Sequence, residues 1–274
     1  MKIEDPEVSA VVQGKMIKEG VNLLTNHRAM KVILKDDKKF LIVEHNGEQK
    51  EIEFDEILFA IGRRANIKGF GLENLDVKLR KNGTIEANEY LQTNYPNIYA
   101  CGDVTGPFQL THTAAHQAWY TSVNPLFGIF KKFKVDYSVI PWATYTDPEV
   151  ATVGLNEQTA KREGIEYELT VYGLDDLDRA IAESEDHGMV RVLTKPGTDK
   201  ILGATIVGMT ASDMIIEFIS AMKNGVGLNG ILGTIHPYPS MIEANKFAAG
   251  EWKRKQTPQW AFDLLTKFHN WRRS

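Results

Sequence analysis

The fold of this chain is best interpreted from one stretch, Ile235-His236-Pro237-Tyr238-Pro239-Ser240-Met241-Ile242-Glu243. Its two prolines exclude helical geometry for the residues that precede them, because the proline ring clashes with a preceding residue in the α region. A helix can begin near Ser240, which places Glu243 in its first turn, where the helix dipole favours a carboxylate. The sequence therefore predicts a rigid loop that presents His236 and Tyr238 at the start of a helix. A proline-stiffened connector without chemistry is the alternative.

The patterns on either side of this loop predict an antiparallel sheet with helices over residues 138–255. Alternating or fully apolar runs predict strands at residues 141–145, 150–153, 167–172, 189–194 and 201–207. Capping residues and apolar stripes predict helices at residues 157–163, 212–223 and 241–255. An acidic run at residues 175–186 is expected to be a solvated face or loop. This arrangement is typical of an α+β domain.

The composition limits the classes of protein to which this chain can belong. The chain has 274 residues, of which 43% are hydrophobic and 25% are charged, as in an ordinary soluble protein. The net charge of −4 gives no reason to expect nucleic acid as a partner. The N-terminus lacks an apolar signal core, and no run of about 18 apolar residues occurs. These features predict a cytoplasmic protein.

The single cysteine, Cys101, excludes an internal disulfide and a two-cysteine redox centre within this chain. We expect it to be a small buried hydrophobic residue at the end of a buried strand, residues 98–101. Gly102 and Asp103 follow, and an aspartate after a glycine at the carboxyl end of a strand suits the binding of ligand hydroxyls. A simple Gly-Asp turn is the alternative.

Residues 1–137 are predicted to contain two helices and several strands. A helix begins at Asp5-Pro6, with a stripe that is expected to be buried: Val8, Val11, Val12 and Met16. Strands are predicted at residues 30–35, 40–45, 49–54 and 57–62, with a hairpin turn at Asn46-Gly47. A helix is predicted at residues 111–127. No glycine-rich turn of the kind that binds a pyrophosphate occurs in the sequence.

Several stretches occur together in the order and spacing of one family. They are Ile61-Gly62-Arg63-Arg64-Ala65-Asn66, Asn97-Ile98-Tyr99-Ala100-Cys101-Gly102-Asp103-Val104, Leu110-Thr111-His112, Thr146-Asp147-Pro148-Glu149-Val150-Ala151-Thr152-Val153-Gly154-Leu155, Ile201-Leu202-Gly203-Ala204-Thr205-Ile206-Val207-Gly208, and Pro239-Ser240 with Glu243. The chain thereby resembles the flavin-dependent pyridine nucleotide-disulfide oxidoreductases, from about residue 5 to about residue 255.

The resemblance implies that partial α/β nucleotide-binding segments precede a dimerisation domain, and that the cofactors are FAD and NAD(P)H. Residues 1–60 would be the end of the NAD(P)-binding domain, 61–137 the returning segment of the FAD-binding domain and 138–255 the dimerisation domain of a homodimer. Gly62 would approach the nicotinamide nucleotide, and Gly102 and Asp103 would bind hydroxyls of FAD. Three residues would lie at the flavin ring, at a helix N-terminus whose dipole favours an electron-rich edge: Leu110, Thr111 and His112.

The departures from the family are equally specific. The glycine fingerprints for FAD and NAD(P) and the redox cysteine pair do not occur in this sequence. The resemblance therefore implies the C-terminal part of such an enzyme, from which we do not expect catalysis alone. Its expected activity is electron transfer from NAD(P)H through flavin to a disulfide, metal or similar acceptor. A non-catalytic dimerisation or assembly module is the alternative.

Tyr238 is the second departure. The family places a histidine five residues before the glutamate, here Glu243, and that histidine acts as an acid and base. A tyrosine, with an ordinary pKa of about 10, is a poor base at neutral pH but a good hydrogen-bond donor. Mercuric reductases also have a tyrosine at this position, although this chain lacks their terminal cysteine pair. His236 is the alternative acid and base.

Two further patterns complete the prediction. His112 and His116 lie one helical turn apart, but no third ligand accompanies them, so we predict no metal site. Residues 256–274 predict an amphipathic tail helix with a basic end. Its apolar stripe consists of Trp260, Ala261, Leu264, Leu265, Phe268 and Trp271. We expect this stripe to pack on its own domain, and packing on a partner or contact with a membrane surface are the alternatives.

Overall fold

The computed structural model describes residues 1–273, with Gln259 and Ala261 described by their backbone alone. Its helices are α1 (Pro6–Lys18), α2 (Thr111–Phe127), α3 (Glu157–Glu163), α4 (Asp178–Glu183), α5 (Ala211–Lys223), α6 (Leu228–Gly233), α7 (Glu243–Gln256) and α8 (Gln259–Arg273). Its strands are β1 (Arg28–Lys35), β2 (Lys38–His45), β3 (Glu48–Phe54), β4 (Pro141–Thr144), β5 (Glu149–Gly154), β6 (Glu168–Gly173), β7 (Met189–Thr194) and β8 (Ile201–Gly208). None of the described helices has the length and apolar character needed to cross a membrane.

The chain divides into two compact units. Residues 1–19 and 136–274 form one, which we call the sheet unit, and residues 20–135 form the other, the hairpin unit. The domain limits given for residues 1–60, 61–137, 138–255 and 256–274 stay predictions, because a domain of a complete enzyme need not coincide with a compact unit of this chain.

The sheet unit contains a five-stranded antiparallel sheet in the order β4-β5-β8-β7-β6. Every strand predicted for this region is present, with its ends within one residue of the prediction. The α+β class is therefore confirmed. Helices α4 and α6 were not predicted, since α4 lies within the acidic run and α6 contains two glycines that disfavour a helix.

One face of this sheet packs against the helices that follow it. Ala151 and Ile206 on this face join Met214 and Phe218 of α5 and Trp252 of α7 in a single buried cluster. Each large side chain in such a cluster contributes about 1.5–3 kcal/mol through removal from water. This core fixes the start of α7, and hence the loop of residues 235–243 that precedes it.

The opposite face of the sheet is covered by α1. Val8 and Val12 pack on Val150 and Val207, whose side chains point away from the main core because strand residues alternate between faces. The predicted burial of the α1 stripe is confirmed for these two valines, while Val11 and Met16 are partly buried. Residues 1–19 are thus tied to the sheet unit.

A buried polar network strengthens this junction. The Glu4 carboxylate accepts hydrogen bonds from Trp142 Nε1 at 2.7 Å and from Thr152 Oγ1 at 3.0 Å. The buried Arg191 guanidinium lies 2.6 Å from the Glu157 carboxylate and 3.7 Å from that of Asp5. The two carboxylates near Arg191 and the two neutral donors on Glu4 offset part of the cost of removing these charges from water.

The hairpin unit begins with a three-stranded antiparallel sheet in the order β1-β2-β3. Asn46 and Gly47 both have positive φ, as the predicted tight hairpin turn requires. Helix α2 has the predicted bounds. Its Asn124 side chain is buried and bonds both the backbone N–H and the carbonyl of Phe133, at 2.8 and 2.9 Å, which fixes the segment after the helix.

Two predicted strands of this unit are wrong. Residues 57–62 form no strand, and Leu58 and Ile61 are each 90% exposed. An apolar run becomes a buried strand only when neighbouring strands pair with it, and none of the described strands does so. Residues 98–101 contribute only an isolated bridge from Tyr99 to Gln92, and Cys101 is exposed rather than buried.

The tail forms the predicted helix, α8, but its stripe does not pack as expected. The described side chains of the stripe are exposed: Trp260, Leu264, Leu265, Phe268 and Trp271. The Ala261 side chain lies outside the described part of the structure. The expectation that the stripe packs on its own domain is therefore wrong for these five residues, because helical amphipathicity indicates an apolar face without identifying what covers it.

Candidate functional site

The flavin-side candidates lie on a loop that α2 holds in place. Gln117 of α2 is fully buried, and its side-chain oxygen accepts a hydrogen bond from the Gly102 backbone N–H at 2.6 Å. Its side-chain nitrogen donates to the Gly106 carbonyl at 3.3 Å. Sequence reasoning missed Gln117, because nothing in the sequence separates it from the other polar residues of α2. This glutamine fixes the loop that carries Asp103.

Gly102 occupies a position that favours glycine. Its φ is +79°, and a Cβ added there would lie 3.4 Å from the Ala114 Cβ atom of α2. The close approach lets the loop lie against the first turn of α2. Asp103 follows with an exposed side chain, and its backbone carbonyl accepts a hydrogen bond from Gln109 Nε2 at 3.2 Å. The Asp103 carboxylate is therefore accessible beside the start of α2.

The N-terminus of α2 has the properties of an anion- or dipole-binding position. Leu110 is its cap residue and provides no side-chain cap, while Thr111 and His112 are exposed. The Thr113 side chain is buried, and its hydroxyl has no hydrogen-bond partner among the described residues. Such a terminus presents backbone N–H groups and the positive end of the helix dipole to a ligand.

Gly62 is connected to the same loop through its neighbour. The Arg63 guanidinium donates a hydrogen bond to the Gln109 carbonyl, and the Gln109 side chain in turn bonds Asp103. Gly62 has φ +143°, and an added Cβ would meet nothing within 4 Å. The hairpin unit thus brings the segments of Gly62, Asp103 and Thr111 together.

The Tyr238 hydroxyl lies in the loop of residues 235–243 and bonds an acid that was not predicted as its partner. The side chain is 72% exposed, and its hydroxyl donates to Asp178 Oδ2 at 2.9 Å. This hydrogen bond, assisted by the Asp178 charge, raises the pKa of Tyr238 above its ordinary value. A tyrosine with an ordinary pKa of about 10 is already neutral at physiological pH, and its single O–H is donated to Asp178.

Glu243 serves the start of α7. Its Oε2 atom accepts a hydrogen bond from the Ser240 backbone N–H at 3.0 Å, as a carboxylate in the first turn of a helix commonly does. The predicted first-turn position of Glu243 is confirmed. The structure does not bring its carboxylate to the Tyr238 hydroxyl, which bonds Asp178 instead.

His236 is held by two acceptors. Its Nε2 atom lies 2.9 Å from Glu217 Oε1, and its Nδ1 atom lies 3.1 Å from the Thr234 carbonyl. Asn245 Nδ2 donates to the other oxygen of Glu217 at 3.1 Å. Both ring nitrogens therefore face acceptor atoms, an arrangement that favours anchoring of the loop. Glu217 was missed because it lies between the apolar stripe residues of α5.

An apolar cavity of about 490 Å³ lies next to this anchor. Its lining includes Glu217 and His236 together with three exposed apolar residues, Ile216, Val226 and Ile235. Exposed apolar residues around a concave surface are typical of an interaction site.

Two family profiles match the chain along most of its length. The profile "Pyridine nucleotide-disulphide oxidoreductase" matches residues 1–118, and the profile of the dimerisation domain of the same oxidoreductases matches residues 140–249. The chain belongs to the pyridine nucleotide-disulphide oxidoreductase family. The family resemblance deduced from the motifs is confirmed.

Curated members of this family resemble the chain over about 90% of its length. A mercuric reductase of Staphylococcus aureus is 36% identical over 248 residues, which are 90% of this chain and 45% of that protein. A dihydrolipoyl dehydrogenase of Buchnera aphidicola is 38% identical over 237 residues, which are 86% of this chain and 49% of that protein. The chain spans about half the length of the curated relatives it matches.

Solved structures share the fold. LpdA of Mycobacterium tuberculosis superimposes with a TM-score of 0.80 at 24% identity, over 93% of this chain and 54% of that one. The HOCl-induced flavoprotein disulfide reductase RclA of Escherichia coli gives 0.81 at 21% identity, over 91% and 56%. These similarities show that the tertiary fold is shared.

Proposed function

We propose that this chain supplies the flavin-facing helix and the dimerisation domain of an FAD- and NAD(P)H-dependent oxidoreductase. Its electrons would pass to a disulfide, metal or similar acceptor, and the chain would not be active alone. The observation that carries this proposal is the uncapped N-terminus of α2 beside the exposed Asp103 carboxylate. Carboxylate and helix terminus together can bind the hydroxyls and the polar ring edge of one ligand.

The residues present fit FAD. The buried Thr113 hydroxyl has no protein partner among the described residues and is suited to a polar ligand atom at the start of α2. Asp103 would accept hydrogen bonds from the hydroxyls, Leu110, Thr111 and His112 would lie at the ring, and Gly62 would approach the nicotinamide nucleotide. FAD, when bound, would supply hydride acceptance and onward electron transfer.

The loop of residues 235–243 would contribute a hydrogen-bond donor. Tyr238, whose pKa is raised, would turn its single O–H from Asp178 to an acceptor atom of the substrate, and it would not remove a proton at neutral pH. His236, Glu217 and Glu243 would position this loop. The proposal includes a homodimer, formed through the dimerisation domain, and a cytoplasmic location.

Titration of the chain with FAD, followed by flavin fluorescence, tests the proposal. Replacing Asp103 by alanine should weaken binding about tenfold or more, because a hydrogen bond to a charged group contributes about 1.5–3 kcal/mol. Asp76→Ala, another exposed aspartate of the hairpin unit, is the matched control and should leave affinity unchanged. Absence of FAD binding, or equal weakening by both variants, would contradict the flavin assignment.

A non-catalytic assembly module is the second candidate function. It is favoured by the apolar cavity next to α5, whose lining includes exposed Ile216 and Ile235. The double variant Ile216→Gln/Ile235→Gln should convert a dimer to a monomer in light scattering, whereas Ile181→Gln on exposed α4 should not. A stable dimer that binds no FAD would favour this candidate over the first.

A further inference from the structure

The tail helix α8 presents an exposed apolar face that neither family profile includes. The profiles end at residues 118 and 249, and α8 spans Gln259–Arg273. At 100° per residue, the stripe residues Trp260, Leu264 and Phe268 fall within a face about 140° wide. Trp260 is 66% exposed and Trp271 is 72% exposed, so the sheet unit does not cover this face.

The aromatic residues of this face are arranged as in helices that lie at a lipid surface. Trp260 and Trp271 are 11 positions apart, which places them on the same side of the helix and about 16 Å apart along its axis. Tryptophan is enriched where one end of a ring is apolar and the other is wet, as at the boundary between acyl chains and headgroups. The two rings therefore lie on one side of α8, which is the side that would contact a lipid surface.

Basic residues lie beside this face. Lys267 falls at one edge of the stripe and Arg272 near the other, while Asp263, the only acid of the helix, falls on the polar side. The Arg272 guanidinium lies over the Phe268 ring, 5.9 Å from its centre, so a positive charge borders the apolar face. Long basic side chains can extend to phosphate groups while their stems cover apolar surface.

The charge of the tail contrasts with that of the whole chain. Residues 256–274 contain three basic residues and one acidic residue, a net charge of +2, although the chain as a whole carries −4. Each basic residue near an anionic membrane contributes about 1 kcal/mol of attraction. The length of α8 excludes a span, since 15 residues rise about 22 Å and a bilayer core is about 30 Å thick.

We propose that α8 binds the surface of an anionic lipid bilayer, with its tryptophan-lined face in the headgroup region and its basic residues on the lipid phosphates. The proposal is independent of the flavin assignment, because it rests on residues outside the two units' candidate sites. Such a helix would hold the oxidoreductase domain at a membrane without crossing it.

Flotation of the full chain with vesicles tests this directly. The chain should float with vesicles of phosphatidylcholine mixed with phosphatidylglycerol, and much less with vesicles of phosphatidylcholine alone. Added salt should weaken the binding, since it screens the attraction between the basic residues and the lipid. The tryptophan emission should shift to shorter wavelength when the anionic vesicles are added.

Two charge-neutral variants identify the face responsible. Leu264→Gln/Phe268→Gln should reduce partitioning about tenfold or more, because it removes two exposed apolar side chains from the lipid. Thr266→Gln/Asn270→Gln, on the polar side of the same helix, should leave partitioning unchanged. Both pairs are exposed, so neither should alter the fold.

Three outcomes would overturn the proposal. The first is that the chain floats with neither kind of vesicle, and the second is that it floats equally with anionic and neutral vesicles. The third is that Leu264→Gln/Phe268→Gln floats as well as the wild type. Light scattering separates a protein contact from a lipid contact. If that variant changed the oligomeric state and wild-type protein did not float, α8 would be an interface with a second copy of the chain.

Discussion

The sheet unit and the hairpin unit are both rich in apolar strand residues, but they bury them differently. In the sheet unit, Val190, Val192 and Ile206 are fully buried beneath α5 and α7. In the hairpin unit, Leu34 of β1 and Leu58 after β3 are largely exposed. The difference teaches that a strand pattern predicts where a chain is extended, whereas burial depends on elements that cover it.

Hydrogen exchange gives the largest expected contrast between the units. We expect amides of β8 to exchange about a thousandfold more slowly than those of β1, because exchange from a buried central strand approaches the global opening limit. Strand β8 lies between β5 and β7, while β1 is an edge strand of its sheet. Mass spectrometry of peptides from both strands measures the ratio, and equal protection would contradict the comparison.

A pair of truncations compares the two units in free energy. Phe218→Ala should lower the free energy of unfolding by about 3–5 kcal/mol, since it leaves a cavity beneath the sheet. Leu34→Ala should cost less than about 0.5 kcal/mol, because that side chain is 77% exposed. Urea denaturation measures both. Similar losses for the two variants would mean that β1 is packed in solution.

The buried network at α1 gives the next largest effect. Arg191→Met should destabilise the sheet unit by about 3 kcal/mol, because it leaves the Asp5 and Glu157 carboxylates without their buried cation. Arg162→Met is the control, since that arginine pairs with Glu163 on the surface and should contribute less than about 1 kcal/mol. Equal losses of unfolding free energy for the two variants would show that the buried ion pairs of Arg191 add no more stability than a surface pair.

The same network predicts that the free energy of unfolding depends on pH. Burial alone would raise the pKa of Glu157, but the Tyr167 hydrogen bond and the charges of Lys161 and Arg191 lower it overall. A lowered pKa in the folded state adds stability above the unfolded pKa, and this contribution is lost as pH falls through the folded value. Glu157→Gln should therefore flatten the loss of unfolding free energy in acid. An unchanged acid slope would contradict the assignment.

The smallest expected effect is at Tyr238. Asp178→Asn should lower the pKa of Tyr238 toward about 10, because the hydrogen bond to a charged acceptor is removed. Ultraviolet titration of the wild type and Asp178→Asn, each compared with its Tyr238→Phe derivative, isolates this tyrosine. Asp175→Asn is the matched control. If Tyr238 titrated at the same pH in the wild type and in Asp178→Asn, the hydrogen bond between Tyr238 and Asp178 would be absent in solution.

Local signals explain which elements were predictable. Asn156 caps α3 by accepting from the Thr159 N–H at 2.9 Å, and Gly164 ends that helix, so both bounds were evident in the sequence. The run of residues 57–62 had no such signal and was misassigned from apolarity alone. Glu217 and Asp178 contact the loop of residues 235–243 from elements distant in sequence, and no local pattern identifies such partners.

The family could be recognised for a related reason. Its motifs are short runs around glycines and turns, where backbone geometry restricts the residue. Partners such as Gln117, which holds Gly102 against α2, belong to no such run and became evident only from the fold.

The central claim is that this chain carries a flavin-binding helix and a dimerisation domain. Size-exclusion chromatography of the chain supplied with FAD, monitored by visible absorption and light scattering, tests both halves together. The account predicts a peak with the mass of a dimer and the absorption bands of bound flavin. A colourless monomer would contradict it.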